Sequence, residues 1–202
     1  MNTPLFDPDK PRDRLLAAAA RLMRRKGFAA TTVRELGAEV GLLSGSLFHH
    51  VRSKDDLLFQ VMERVIAAMN ADLDAALAQA PDLTGRLRAL IAVELTYLHG
   101  PAADATAVLF HEWRALSHDH RAILLAGRDR YFARWHEVLA EARAQGLTQV
   151  EPVILRQFLH GALAWTSFWY RPGGATDLAA LTDQALALVL GSSGQDGSRC
   201  GT

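Results

Sequence analysis

The 202 residues are 50% hydrophobic and 22% charged, an ordinary globular composition with room for one or two domains that each bury a core. No apolar run nears the ~18 residues of a membrane span, and MNTPLFDPDKPRDR lacks the basic-then-apolar order of a secretory signal, so the chain is expected in the cytoplasm. The single cysteine, Cys200, excludes an internal disulfide and a cysteine-built zinc site.

A formal net charge of zero conceals a division along the chain. Residues 1–54 hold ten Lys and Arg against five Asp and Glu, giving +5, and the remainder holds twelve against seventeen, giving −5. A small basic head on a larger acidic body suits a polyanion-binding segment joined to a segment with another task.

From Arg12 to Lys26 the residues Leu15, Leu16, Ala19, Leu22 and Met23 recur at helical spacing, and Gly27 follows as a stop. Thr31 or Thr32 can cap a short second helix, in which Val33, Leu36 and Val40 share a face until Gly41 ends it. Ser44 can cap another short helix through about His50. The run Ser53-Lys54-Asp55-Asp56 opens a long one, its carboxylates placed in the first turn where the dipole favours them.

Further helices follow over about 55–78, 83–98, 103–116, 119–144, 152–170 and 177–190, divided by Pro81, Gly100-Pro101, Gly146 and Pro172-Gly173-Gly174. No alternating strand pattern and no internal repeat is present. The Gly/Ser-rich end, residues 192–202, is expected to be disordered. The predicted fold is therefore all-α, with a head at 1–54 and a helical body at 55–191.

On a helical wheel of ~100° per residue, Leu47 and Val51 point one way while Gly45, Ser46 and His49 point the other. A small, uncharged, polar face suits close approach to the major groove of DNA, which offers donors, acceptors and thymine methyls. Two short helices joined by a glycine-containing turn, with cationic flanks, form a helix-turn-helix arrangement.

Arg12 to Leu58, above all FAATTVRELGAEVGLLSGSLFHHVRSKDDLL, resembles the N-terminal domain of the TetR family of transcriptional regulators. The resemblance implies a recognition helix over Ser44 to His50, with Leu43, Ser44, Gly45, Ser46, His49 and His50 facing bases or phosphates. It places Arg34 where a guanidinium can reach a base, and Thr32 and Lys54 where the family holds the phosphate backbone. The chain departs from the pattern at Phe48, where many members carry a tyrosine. A metal role for His49 and His50 fails because adjacent helical residues diverge by ~100°.

The family resemblance further implies that the body binds a small-molecule effector and dimerises. Phe110 with Trp113, and Tyr131 with Trp135, stand at spacings that let each pair share a helical face, where they serve either as core or as a pocket wall. Ala162, Trp165, Phe168 and Trp169, then Leu181 and Leu188, give apolar surface for core or for a dimer interface of two helices from each copy.

The segment GALAWTSFWYRPGG resembles the end of the body in TetR-type repressors of fatty-acid and steroid breakdown, which implies an acyl-CoA inducer. In that reading Arg121 and Arg130 serve the phosphates, and Trp165 joins the effector-facing aromatics. His160 and Phe168 stand where the steroid-sensing members have arginines.

The implied function is a homodimeric repressor of a palindromic operator, released by its effector, with no cofactor, no metal and no catalytic residues. Two other classes stay open. One is a ligand-independent regulator or activator. The other is an α-helical metal-dependent enzyme, prompted by HEWRALSHDH, although HEWRA lacks the second histidine of a zincin helix.

Overall fold

The structure, a computed structural model, describes residues 4–41 and 52–191. The expected helix over Ser44 to His50 and the expected disordered end both lie outside the described residues, as do the side chains of Leu43, Ser44, Gly45, Ser46, His49 and His50.

The described residues form helices and no strand: α1 Pro11–Ala30, α2 Val33–Val40, α3 Lys54–Gln79, α4 Leu83–His99, α5 Ala103–His111, a 3₁₀ turn Trp113–Ala115, α6 His118–Ala144, α7 Pro152–Trp169 and α8 Leu178–Leu190. By compactness the chain divides into two units, residues 1–72 with 96–131, and residues 73–95 with 132–202.

In the first unit, α1 buries the stripe read from its sequence, Leu15, Leu16, Ala19, Leu22 and Met23. Leu36 of α2 and Leu57, Leu58, Val61, Met62 and Val65 of α3 complete an aliphatic core, each side chain contributing roughly 1.5–3 kcal/mol by leaving water. Helix α5 packs on α1. Gly27 breaks α1 with φ 84 and ψ 158, a conformation that disfavours a Cβ, and one further turn reaches Ala30.

In the second unit, Trp135, Val138 and Leu139 of α6, Leu155, Leu159 and Leu163 of α7, and Leu181, Leu186 and Val189 of α8 are buried. Glu94 of α4 is buried too, at 1% exposure, and its Oε1 lies 2.6 Å from Nδ1 of His160 on α7. Burial alone would push the His160 imidazolium to a lower pKa; the hydrogen bond and charge of Glu94 outweigh that and hold it above its ordinary value.

One element differs from its sequence reading. The helix expected over 103–116 ends at His111, Glu112 takes φ −104 and ψ 9, and a 3₁₀ turn follows to Leu116, which is extended. Ser117 competes for the chain at this point: its carbonyl accepts from Arg121 N–H, and its hydroxyl accepts from His120 N–H at 3.3 Å, so α6 begins where the preceding helix was expected to end.

Candidate functional site

Thr32 is the N-cap of α2 in a capping box. Its hydroxyl oxygen accepts from Glu35 N–H at 3.3 Å, its own N–H donates to Glu35 Oε2 at 3.0 Å, and its hydroxyl proton is directed at the same oxygen at 2.7 Å. The Lys26 ammonium also hydrogen-bonds Glu35. With both Thr32 donors, it holds that carboxyl at a pKa of about 2. Of the two threonines, Thr31 is the inward one, buried and donating to Gly27 O at 2.9 Å.

At the other end Gly41 closes α2 at φ 69, the left-handed conformation that glycine adopts without strain, and its N–H returns to Ala38 O. The eight-residue helix is thus fixed at both ends. Arg34, on its first turn, is exposed, and its side chain makes no hydrogen bond or ion pair with another described residue. The N–H groups of Val33 and Arg34 likewise have no partner among the described residues, leaving a donor pair at the positive end of the helix dipole.

Lys54 is placed otherwise than its expected role requires. Its Nζ lies 3.0 Å from Phe28 O, 3.3 Å from Ala29 O and 3.0 Å from Thr31 O, and 4.4 Å from the centroid of the Phe28 ring. An ammonium has three N–H donors, so all are taken by carbonyls at the end of α1. In the chain without DNA the side chain locks the turn that leads into α2.

A residue that sequence reading missed completes that lock. Glu112, between α5 and the 3₁₀ turn, accepts from Phe28 N–H through Oε1 at 3.1 Å. Arg24 of α1 reaches Asp104 of α5 at 2.9 Å in the same packing. Nothing in the spacing of HEWRA marks a contact 84 residues away.

The effector-side candidates fall in several places. Phe110 ends α5 half-buried, whereas Trp113 belongs to the 3₁₀ turn, so the two do not share one α-helical face as the i, i+3 spacing suggested. The Arg128 guanidinium lies 5.5 Å from the Trp113 ring centroid. Arg121 is half-buried, and its Nε is a buried donor without a hydrogen-bond partner among the described residues; Arg130 is exposed. Tyr131 is buried. In the second unit Trp135 is 2% exposed and its Nε1 is similarly without a partner.

Trp165 lies on the open face of α7 instead of in a wall. With its ring centroid 4.5 Å from that of Phe168, it joins Ile154, Phe158 and Trp169 in an exposed apolar stripe opposite the buried Leu155, Leu159 and Leu163. Ala162 is exposed on the same stripe, Phe168 is 70% exposed, and Leu188 of α8 is 79% exposed. Leu181, at 9%, faces inward.

The histidines of HEWRALSHDH do not converge. His111 and His118 are exposed, while His120 Nδ1 lies 2.6 Å from Asp55 Oδ2 and its ring stacks on Phe59. Among the described residues no three His, Cys, Asp or Glu side chains are grouped to hold a metal, and no helix is long and apolar enough to cross a membrane.

Comparison with known proteins places this architecture. Residues 15–61 match the model for bacterial regulatory proteins of the tetR family, and residues 80–192, more than half of the chain, match the tetracyclin repressor-like C-terminal domain. The transcriptional repressor KstR2 of Mycolicibacterium smegmatis is 30% identical over 193 residues, covering 91% of each chain. Among solved structures, one described as superantigen PfiT is 46% identical with a TM-score of 0.77, covering 92% of this chain and 99% of its own. AibR in complex with isovaleryl coenzyme A and operator DNA shares the fold at a TM-score of 0.81 and 22% identity, over 90% of this chain and 98% of its own. The capped and glycine-terminated α2, the all-helical body and the two family matches agree, and the chain belongs to the TetR family of bacterial transcriptional regulators.

Proposed function

We propose that the chain is a homodimeric repressor that binds a palindromic operator through its basic head, residues 1–54, and is released by an apolar effector bound in the body, residues 55–191. The observation that carries the reading is α2, fixed by its capping box and by Gly41, with Arg34 exposed and without a partner at its first turn. A guanidinium so presented is suited to guanine O6 and N7, and the neighbouring open N–H groups to a phosphate. Ser44 to His50 are the proposed recognition helix.

Dimerisation is supported by the exposed stripe Phe158, Trp165, Phe168 and Trp169, an extent of aromatic surface that a solitary soluble chain rarely leaves open. Two heads then read half-sites ~34 Å apart. An acyl-CoA thioester is the proposed effector class. The relatives named as KstR2 repressors and the fold shared with a coenzyme-A-bound, operator-bound protein favour it. Arg121, with its buried open donor, suits an acceptor-rich ligand, and the aromatic Phe110, Trp113 and Tyr131 belong to the same unit. Binding need only distinguish two head spacings energetically to release DNA.

The test is fluorescence anisotropy with a palindromic duplex from the gene's own upstream region, with and without a panel of acyl-CoA thioesters. Saturable binding reversed by one thioester is the expected result. Binding that no thioester alters overturns the effector class and leaves the operator reading standing.

A further inference from the structure

The N–H and the C=O of Phe28 are held by opposite charges from two different places in the chain. Glu112 Oε1 accepts from the N–H at 3.1 Å, and Lys54 Nζ donates to the C=O at 3.0 Å. Between them stands the break in α1 at Gly27, whose positive φ interrupts the helical ladder and turns the Phe28 amide outwards for a side chain to meet. Three residues later Thr31 turns inward, and Thr32 caps α2. The path of the chain into the DNA-reading helix is thus set at Phe28.

We propose that Glu112 is a positioning residue for operator recognition, holding the entry to α2 from the effector-side segment. It rests on the reading of α2 as a DNA-reading element. Three features support it. Glu112 is next to Trp113 and two residues from Phe110 in the chain, so a backbone shift that carries those aromatics reaches it directly. It occupies the point where α5 gives way to a 3₁₀ turn, with bridge-region angles of φ −104 and ψ 9, in the short connector that leads from α5 to α6. Its hydrogen bond joins a carboxylate to a main-chain N–H, and charge-assisted bonds of this kind are the stronger ones. The Arg24–Asp104 pair, at 2.9 Å, is a separate contact between α1 and α5 that does not involve Glu112.

The proposal separates two routes of control. A ligand acting only along α3 would leave Phe28 N–H protected. A ligand acting through the 3₁₀ turn would release it.

The experiment uses the full chain and the variants Glu112→Ala and Glu112→Gln. Phe28 amide exchange is followed by NMR, anisotropy is measured on the upstream palindrome and on a random duplex, and thermal unfolding serves as the folding control. In E112A, Phe28 exchange is expected to rise about tenfold or more, the change that loss of one charge-assisted bond supports. Operator affinity is expected to fall about tenfold and random-duplex affinity by clearly less, because the attraction of the whole basic head for phosphates depends on the entry angle of α2 only through the one contact at its first turn. E112Q, whose amide oxygen can accept the same bond, is expected to restore both towards wild type.

Unchanged Phe28 exchange in E112A overturns the link itself. Raised exchange with unchanged operator affinity overturns the positioning role. Equal loss on operator and random DNA, accompanied by a broad loss of folding, assigns Glu112 to stability alone and overturns the proposal. A wild-type chain that prefers no duplex overturns the DNA reading and with it the positioning role, while the exchange measurement still decides whether the link exists.

Discussion

At the scale of single residues, the two cations expected to meet DNA have opposite surroundings, and their substitutions should separate accordingly. Arg34 is exposed and unpartnered among the described residues, so Arg34→Ala should leave the unfolding temperature unchanged and relax specificity at one position per half-site, by roughly 1–3 kcal/mol for a lost bidentate contact. A panel of base-substituted duplexes reads this directly. Lys54 already donates to three carbonyls and lies over the Phe28 ring, so Lys54→Ala should lower the unfolding temperature by several degrees, the effect of about 1–2 kcal/mol in a domain of this size. A Lys54→Ala chain with wild-type stability and only a shallower salt dependence would return the residue to the phosphate role. The family resemblance marked both residues as functional. It could not tell them apart, because the carbonyls that engage Lys54 lie 23 to 26 residues away and only the fold brings them near.

At the scale of elements, the ends of helices were the most legible features, since caps are local chemistry. Thr32, one of the two threonines offered as a cap, and Gly41 close α2 as their residue types suggest, and Asp177, at the expected start of the last helix, caps α8 with Oδ1 accepting from Ala180 N–H at 2.7 Å. Thr32→Ala should cost about 1 kcal/mol, checked by chemical denaturation near neutral pH. Because the Glu35 carboxyl is depressed to about 2 in the folded chain, its contribution is complete above its ordinary value of 4.5 and is lost as pH falls through about 2; Thr32→Ala should weaken that acid dependence. The break after His111 was not legible, because Ala103 to Leu116 holds no Gly or Pro and the competing signal, Ser117, belongs to the next helix. Pairing between helices was equally hidden. His160 is raised by buried Glu94, so the α4–α7 pair stabilises fully below about pH 6.5 and loses that contribution as pH rises through the raised value. The gap in unfolding temperature between wild type and His160→Gln should therefore be widest below about pH 6.5 and narrow as the pH rises above it; a gap that does not narrow at any higher pH at which the chain stays folded would show that the imidazolium is not what stabilises the pair.

At the scale of the whole molecule, sequence periodicity identified apolar helix faces without saying which turn inward. Leu181 and Leu188 are seven residues apart on α8, yet one is 9% and the other 79% exposed, because the side chains around them and not their spacing decide burial. On α7 the division is sharper: Leu155, Leu159 and Leu163 occupy the buried face, while Phe158, Trp165, Phe168 and Trp169 stand open, with Ala162 and Gly161 forming a low point between the aromatics. An exposed apolar patch of this kind suits the proposed two-fold contact, in which the same surface of each copy meets the other. Phe168→Glu places a charge in the middle of the proposed contact without touching the buried face, so the subunit should keep its helical content while the dimer dissociates. Sedimentation velocity should then show a species of half the wild-type mass. Operator affinity should fall by orders of magnitude, since each head alone reads only one half-site. A variant that remains dimeric and binds DNA as the wild type does would mean that this stripe serves some other partner and that the two heads are joined elsewhere.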